Sequence, residues 1–285
     1  MVMKNRKKIL IISLTLLASF TSAAETVTKG MKKVIDDALD FSVKQSMSMF
    51  YEMKDQKGIL PRTAENGKMI TCESAWWTSG FYPGTLWYCY EYSNDPQIRA
   101  AAEEMTSRVE KQKYTTSNHD VGFIINCSFG NGYRLTHNET YRKVIETAAK
   151  SLSTRFHPVT GCTRSWNSKK WQFSVIIDNM MNLELLNVAS SLTGDNTYYN
   201  MAKSHADRTM INHFRPDGSC YHVVDYNISD GSVRHKQTAQ GYADESVWSR
   251  GQAWAIYGFT ICYRETKDRK YLDQALKTFN RMKND

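Results

Sequence analysis

The segment THNETYRKVIETAA, residues 136–149, carries the local pattern that decides the fold. Asn138 follows a polar turn, and small or apolar residues then recur at helical spacing. Asn and Asp are favoured helix N-caps, so the segment predicts a turn that starts a helix. The pattern recurs in three further segments, SNDPQIRAAAEEM from Ser93, TGDNTYYNMAKSHA from Thr193 and TKDRKYLDQALKTF from Thr266.

Other helices are predicted between these repeats, and no stretch shows the sustained alternation of a β-strand. The predicted segments are Val27 to Lys54, Gly80 to Tyr92, Val121 to Gly130, Ile177 to Leu192 and Ser249 to Glu265. Repeated helix pairs with one apolar face must stack to bury it. The predicted caps of the four segments are Asp95, Asn138, Asp195 and Asp268. Their separations of 43, 57 and 73 residues are too irregular for a regular solenoid. Because the extra length falls in long loops such as Arg215 to Trp248, we expect an all-α toroid with a binding face built from loops.

Residues 1–24 have the composition of an export signal. The basic residues Lys4, Arg6, Lys7 and Lys8 precede an apolar run from Ile9 to Phe20, and small residues end at Ala24. The apolar run is too short for a membrane span. The sequence therefore predicts cleavage near Ala24, a periplasmic or secreted protein with no membrane association, and one domain from residue 25 to 285.

The composition favours a small acidic ligand over nucleic acid. The formal charge is +8, and the first 24 residues carry four basic residues and no acid, which leaves +4 for the rest. Nucleic-acid binding would need a clustered basic stripe. The six cysteines lie far apart, with no spacing typical of a metal site. We expect buried thiols and no metal or organic cofactor, although an oxidising compartment permits one or two disulfides.

The segment WQFSVIIDNMMNLELL, residues 171–186, places Asp178 among ten apolar residues. An ionised carboxylate is costly to desolvate, so an unpaired acid in such surroundings tends to keep its proton. A general acid requires this property. In the alternative interpretation Asp178 is only a helix N-cap, a role for which Ser174 competes.

Loop segments supply aromatic rings together with polar groups that have several donors. A pocket of that composition suits a sugar, and an Arg adds bidentate recognition of a carboxylate. The candidates are Trp76, Trp77, Tyr82, His119, Asp120, His222, Asp225, Gln240, Trp248, Arg250, Gln252 and Trp254. Each has a structural alternative: core packing for the Trp residues, an N-cap for Asp120, a structural role for His222, and an ion pair with Asp244 or Glu245 for Arg250.

The ordered set of motifs is more specific than any one residue. WWTSGFYPG, NHDVGF, IIDNMMNLELL, YHVVDY and QGYADESVWSRGQAWAIYGF together resemble glycoside hydrolase family 88, the unsaturated glucuronyl hydrolases. The resemblance runs from about Val27 to the last residue and implies an (α/α)6 toroid. About nine of twelve helices are expected, because family members continue beyond the last residue of this chain.

The resemblance implies removal of a 4,5-unsaturated uronic acid from oligosaccharides made by polysaccharide lyases. It makes Asp178 the general acid and base and Asp120 the second essential carboxylate. The pocket would be lined by His119, His222, Gln240, Arg250, Trp254 and one of the pair Trp76 and Trp77, with Trp77 preferred. Asp178 would protonate C4 of the vinyl ether and then activate the water that adds at C5.

The polysaccharide and its sulfation stay open, as does the oligomeric state. The alternatives are an unsaturated rhamnogalacturonyl hydrolase acting on pectin fragments, or an inactive sugar-binding relative. Burial and Asp120 should raise the pKa of Asp178, whereas a helix N-terminus would lower it. We expect burial to be the larger effect.

Overall fold

The computed structural model describes residues 28–283, so the predicted export signal lies outside the described residues. The chain divides into two compact units, residues 1–42 and residues 43–285. In the first unit the described residues form the beginning of helix α1, Lys29–Met53. Two exposed ion pairs one turn apart, Lys32 with Asp36 and Lys33 with Asp37, support that helix.

The second unit is built from helical hairpins, as the repeated pattern predicts. Its helices are α2 (Phe81–Ser93), α3 (Pro96–Ser107), α4 (Val121–Ile125), α5 (Asn131–Thr136), α6 (Glu139–Ser153), α7 (Asn179–Thr193), α8 (Asn196–Asn212), α9 (Ser249–Thr266) and α10 (Arg269–Lys283). A π-helical turn, Asn126–Gly130, joins α4 to α5 without a break. Counted as continuous rods, residues 28–283 contain nine helices. A single helix was expected from Val121 to Gly130; in the structure the helix continues to Thr136 and contains a π turn.

The same turn connects the two helices of every hairpin. The last residue of the first helix is Ser or Thr, and the next residue takes the left-handed conformation, with φ between 53° and 74°, at Asn94, His137, Gly194 and Lys267. The side chain of the following residue then accepts a hydrogen bond from the backbone N–H two positions on, at Asp95, Asn138, Asp195 and Asp268. All four predicted N-caps are thus confirmed.

Residues 28–283 also contain seven short strands, which lie in the connections and which the sequence pattern did not indicate. They are β1 (Ile59–Glu65), β2 (Lys68–Glu73), β3 (Phe156–His157), β4 (Cys162–Thr163), β5 (Ser174–Ile176), β6 (Val223–Tyr226) and β7 (Val233–Gln237). Strands β5, β6 and β7 form an antiparallel sheet in that order. Every residue of β5 and β6 is buried, so these strands lack the alternation by which strands are recognised in a sequence.

The core lies where α4, α6, α7 and α9 meet, around Ile125, Ala148, Leu185 and Phe259. Two glycines permit neighbouring helices to approach α7 closely. A Cβ at Gly122 would lie 2.2 Å from the Asn182 side chain, and one at Gly258 would lie 2.3 Å from Met180. Asn182 and Met180 both lie near the start of α7, where they contact α4 and α9 respectively. Helix α7 is therefore central to the helical layer.

All six cysteines fall within the described residues and are free thiols. Cys89, Cys162, Cys220 and Cys262 are buried, as predicted, and Cys72 and Cys127 are half-buried. Within the described residues, no helix combines the length and the apolar composition needed to cross a bilayer.

Candidate active site

Asp178 lies at the junction between strand β5 and helix α7. Pairing of Ile176 with Val223 aligns β5 with β6, and the N–H of Ile177 donates to the carbonyl of His222 at 3.0 Å. This pairing brings His222 beside Asp178, with 3.6 Å between Nε2 and Oδ2. Asp178 holds the N-cap position of α7, but its side chain makes no capping hydrogen bond. The carboxyl group therefore has no structural role as a cap.

Burial raises the pKa of Asp178 from its ordinary range to about 7. The side chain is only 9% exposed, so the charged form loses most of its hydration. Its own backbone N–H, the Arg250 guanidinium and the indole of Trp254 favour the anion, and the charge of Asp120 opposes it. Burial is the largest of these effects, as predicted, and the group changes charge near neutral pH.

His222 is held as a neutral ring that directs an N–H towards Asp178. The backbone N–H groups of Ala239 and Gln240 both donate to Nδ1, at 3.0 and 3.2 Å. Nδ1 is therefore an acceptor, and the ring proton lies on Nε2, the atom that faces Asp178. Burial lowers the pKa of His222 to about 3, so the ring stays uncharged at neutral pH.

Asp120 and His119 form a second pair of the same kind. The distance from His119 Nε2 to Asp120 Oδ1 is 3.4 Å. Asn182 Nδ2 donates to His119 Nδ1 at 2.7 Å, which again leaves the ring proton on Nε2. Burial raises the pKa of Asp120 to about 6 and lowers that of His119 to about 3. The Asp120 side chain makes no capping hydrogen bond to α4, so the N-cap alternative fails here too.

Ser165 ties the two acid-bearing segments together. Its carbonyl accepts from the N–H of His119 at 3.2 Å, and its N–H donates to the carbonyl of Ser174 at 2.8 Å. Its hydroxyl accepts from the N–H of Ile176 at 2.8 Å and donates to Asn179 Oδ1 at 3.0 Å. Ser165 is fully buried. One residue thus fixes the loop before Asp120 against the strand before Asp178.

Aromatic rings and one cation surround the acids. Phe123 lies between Trp77, at a ring centroid distance of 5.8 Å, and Trp254, at 5.3 Å. Trp248 packs against His222 at 4.3 Å. Arg250 lies over the rings of Trp77 and Trp248, at 5.5 and 4.5 Å.

Arg250 also hydrogen-bonds Gln240. Among the described residues it makes no ion pair with Asp244 or Glu245. The structure thus brings together all eight predicted residues, Asp178, Asp120, Trp77, His119, His222, Gln240, Arg250 and Trp254. Trp76 lies outside this group, against Arg62 at 4.1 Å.

Sequence reasoning missed three residues of the site. Trp166 lies within 6.5 Å of His119 and 6.0 Å of His222, between ring centroids, and so forms a wall across both His–Asp pairs. Trp248 was among the candidates taken from the loop composition, but the family resemblance did not assign it to the pocket. Arg155 contributes the positive charge that most favours the Asp120 anion. None of the three stands in a locally apolar or repeated pattern that would single it out.

The arrangement can deliver a proton and take it back near neutral pH, because a buried acid with a pKa of about 7 exchanges its proton readily there. The neutral His222 and the Trp254 indole present N–H groups towards Asp178, and the neutral His119 presents one towards Asp120. Among residues 28–283 no group of three or more His, Cys, Asp or Glu side chains is placed to hold a metal ion.

Comparison with known proteins assigns a family to most of the chain. The model of Glycosyl Hydrolase Family 88 matches residues 52–285. An unsaturated glucuronyl hydrolase of Formosa agariphila is 48% identical over 205 residues, which cover 71% of this chain and 51% of that protein. An unsaturated chondroitin disaccharide hydrolase of Streptococcus pyogenes is 35% identical over 82% of this chain and 59% of its own length. The chain therefore spans about half of the first relative.

Solved structures agree with the predicted toroid. The crystal structure of an unsaturated glucuronyl hydrolase specific for heparin matches with a TM-score of 0.81 and 41% identity, over 85% of this chain and 66% of that one. The unsaturated glucuronyl hydrolase of Bacillus sp. GL1 matches with a TM-score of 0.79 and 29% identity, over 88% and 67%. The all-α toroid fold is thereby confirmed for the part that the chain spans.

Replacing Ser165 with Ala should lower the free energy of unfolding by about 1–3 kcal/mol, because it leaves the buried N–H of Ile176 without an acceptor. Urea denaturation measures the change. Ser229→Ala, which removes an exposed hydroxyl, is the matched control and should change stability by less than about 0.5 kcal/mol. Equal stability of the Ser165 variant and the wild-type protein would show that this residue does not hold the two segments together.

Proposed function

The chain belongs to glycoside hydrolase family 88, and on that premise we propose that it releases 4,5-unsaturated glucuronic acid from the non-reducing end of lyase-generated oligosaccharides. The substrates would be fragments of the glycosaminoglycan type. Relatives named for glucuronyl and chondroitin substrates support this class. The observation that carries the proposal is the buried carboxyl of Asp178, with a pKa near neutrality, and a second, half-buried acid, Asp120, whose pKa is also raised.

The reaction would be hydration of the C4–C5 double bond rather than direct displacement at C1. Protonated Asp178 gives its proton to C4, and positive charge develops at C5 and the ring oxygen. The Asp178 carboxylate then removes a proton from water, which adds to C5. The resulting hemiketal opens to a ketone at C5, and the hemiacetal left at C1 collapses to an aldehyde and releases the neighbouring sugar. Asp178 ends the cycle protonated, as it began.

A single carboxyl group can serve both steps because giving up the proton turns it into a base. This requires a pKa near the working pH. Burial raises the pKa of Asp178 towards neutrality, and Arg250 and Trp254 keep it from rising further. His222 Nε2–H faces Oδ2, the buried oxygen of the carboxyl group, which has no hydrogen-bond partner among the described residues. This contact leaves Oδ1 as the oxygen that would meet the substrate.

The remaining residues suit recognition of an unsaturated uronic acid. Arg250 presents a guanidinium for the carboxylate of the sugar, and Gln240 orients it by a hydrogen bond. Trp77 and Trp254 supply ring faces for the flat part of the sugar. Asp120, whose Oδ1 lies 3.4 Å from His119 Nε2, would accept hydrogen bonds from ring hydroxyl groups of the sugar.

Asp178→Asn should bind the substrate and abolish turnover, because an amide of the same shape can neither give a proton to C4 nor take one from water. The loss of kcat should be at least about 1000-fold, near the upper range for acid–base groups. Loss of the ultraviolet absorbance of an unsaturated chondroitin disaccharide measures turnover, and calorimetric titration measures binding. Wild-type turnover in this variant would remove Asp178 from the mechanism.

The pH profile of the wild-type protein gives a control on the same group. Since the first step needs the protonated acid, kcat/KM should fall as the pH rises through about 7, the pKa of Asp178.

A side-by-side assay on pectin-derived disaccharides distinguishes the related rhamnogalacturonyl activity. An unchanged absorbance with every substrate, despite binding, would indicate a sugar-binding protein instead of an enzyme.

The proposal includes export to the periplasm or the medium, supported by the basic and then apolar composition of residues 1–24. Expressed in a bacterial host, the protein should be recovered from the periplasmic fraction with its first residue at or near Glu25. Sequencing of the mature N-terminus checks this. Recovery of the uncleaved chain from the cytoplasm would contradict export.

A further inference from the structure

A separate cavity of about 400 Å³ lies behind the wall of the active site. Segment 164–167 separates the two, because Trp166 contacts the active-site histidines whereas Arg164 and Asn167 line the cavity. The other polar lining residues are Thr116, Thr154, Arg155 and His157, and no acid from residues 28–283 lines the cavity. Ile228, which is 42% exposed, lies at its rim.

Arg155 brings a buried positive charge to this cavity. It is 8% exposed and donates to the carbonyls of Thr116, Arg164 and Ser165 and to Asn167 Oδ1, at 2.6 to 3.2 Å. These acceptors are neutral, so they satisfy the N–H groups without neutralising the charge. Burial and the nearby Arg164 together lower the pKa of Arg155 to about 10.

Arg164 places a second guanidinium at the same cavity. Its Nη2 donates to the carbonyl of Gln172, and the group lies 5.3 Å from the ring centroid of Phe173. The Nε of Arg164 is buried and makes no hydrogen bond within the described residues, and the same is true of His157 Nδ1. Among those residues neither Arg155 nor Arg164 has a carboxylate within the 4.0 Å of an ion pair.

Within residues 28–283 the two adjacent guanidinium groups have no carboxylate in direct contact, and Asp120 acts on Arg155 only from a greater distance. Together with the buried Arg164 Nε–H that has no acceptor there, they form a site whose positive charge is only partly balanced. A buried charge that lacks a partner is costly, and so is a buried donor without an acceptor. Arg forks match the oxygens of sulfate and phosphate groups. From this geometry we infer that the cavity binds a small tetrahedral oxyanion, a sulfate or phosphate group. Arg164 would donate to it, the charge of Arg155 would attract it, and His157 and Asn167 would lie beside it.

The inference does not depend on the proposed function. Bound oxyanion would offset the repulsion between the two arginines and stabilise segment 155–167, which carries Ser165. It would also weaken the attraction of Arg155 for the Asp120 anion. The same chemistry has two sources, a free inorganic anion and a sulfate ester on a sugar, and the test separates them.

Titration of the full chain with sodium sulfate, at ionic strength held constant with sodium chloride, should raise the melting temperature along a saturable curve. General salting effects of sulfate rise without saturation. Arg164→Gln should weaken the apparent affinity at least about tenfold, because it removes a charge-assisted contact. Arg269→Gln, an exposed arginine on α10 that does not line the cavity, is the matched control and should retain the wild-type curve.

Ile228→Glu tests the same site without altering a buried residue, since it puts a negative charge at the rim, and it should also weaken sulfate binding. A parallel titration with galactose 6-sulfate identifies the source: tighter binding than sulfate, lost in Arg164→Gln, indicates a sugar ester, and weaker binding indicates the free anion. The inference is overturned if the wild-type protein shows no saturable response to sulfate, or if the Arg164 and Ile228 variants respond as the Arg269 variant does.

Discussion

Desolvation of the carboxyl group of Asp178 is the physical constraint on which the proposed chemistry rests. A carboxylate in water is ionised well below neutral pH, and only a site that withholds water can keep the proton on it. Here a strand buried on both faces leads directly into a buried helix start, so the side chain emerges where little solvent reaches. Arg250 and Trp254 partly offset the rise in pKa that burial causes. The carboxyl group therefore keeps its proton near neutral pH but can still transfer it.

The helical scaffold places that carboxyl by separating structural turns from functional loops. At one end of each hairpin a short capped turn reverses the chain, with Asp95, Asn138, Asp195 and Asp268 as caps. The longer connections carry the acids, histidines and aromatic rings. Because those connections are not helical, their backbone groups need other partners, and the short strands with Ser165 provide them. The strands therefore have a functional reason in a helical fold: they fix loop geometry.

Those features of the fold and the site that depend on neighbouring residues can be predicted from the sequence. N-caps at Asn138 and its equivalents depend on a few neighbouring residues, and burial of Asp178 follows from the apolar run around it. The family motifs placed eight side chains in one site, and the structure brings those eight together. The sequence could not show β5, because a strand buried on both faces has the same apolar composition as a buried helix.

Other features depend on segments that are distant in the sequence. Ser165 and Trp166 acquire their importance from contacts with residues near 119, 174 and 222, and no local pattern marks them. The same holds for Arg250, whose neighbouring acids suggested an ion pair but whose guanidinium lies against two indole rings instead. Tertiary contacts, not propensity, decide such cases.

The ionisation of Asp178 itself is the most direct test of this account. Carbon-13 NMR of the labelled aspartate carboxyl groups, with the signal assigned by its loss in Asp178→Asn, follows the titration of that group. The account predicts an apparent pKa of about 7 in the free protein. A value near 4, as in a solvated aspartate, would mean that the carboxyl is ionised at neutral pH and cannot be the proton donor.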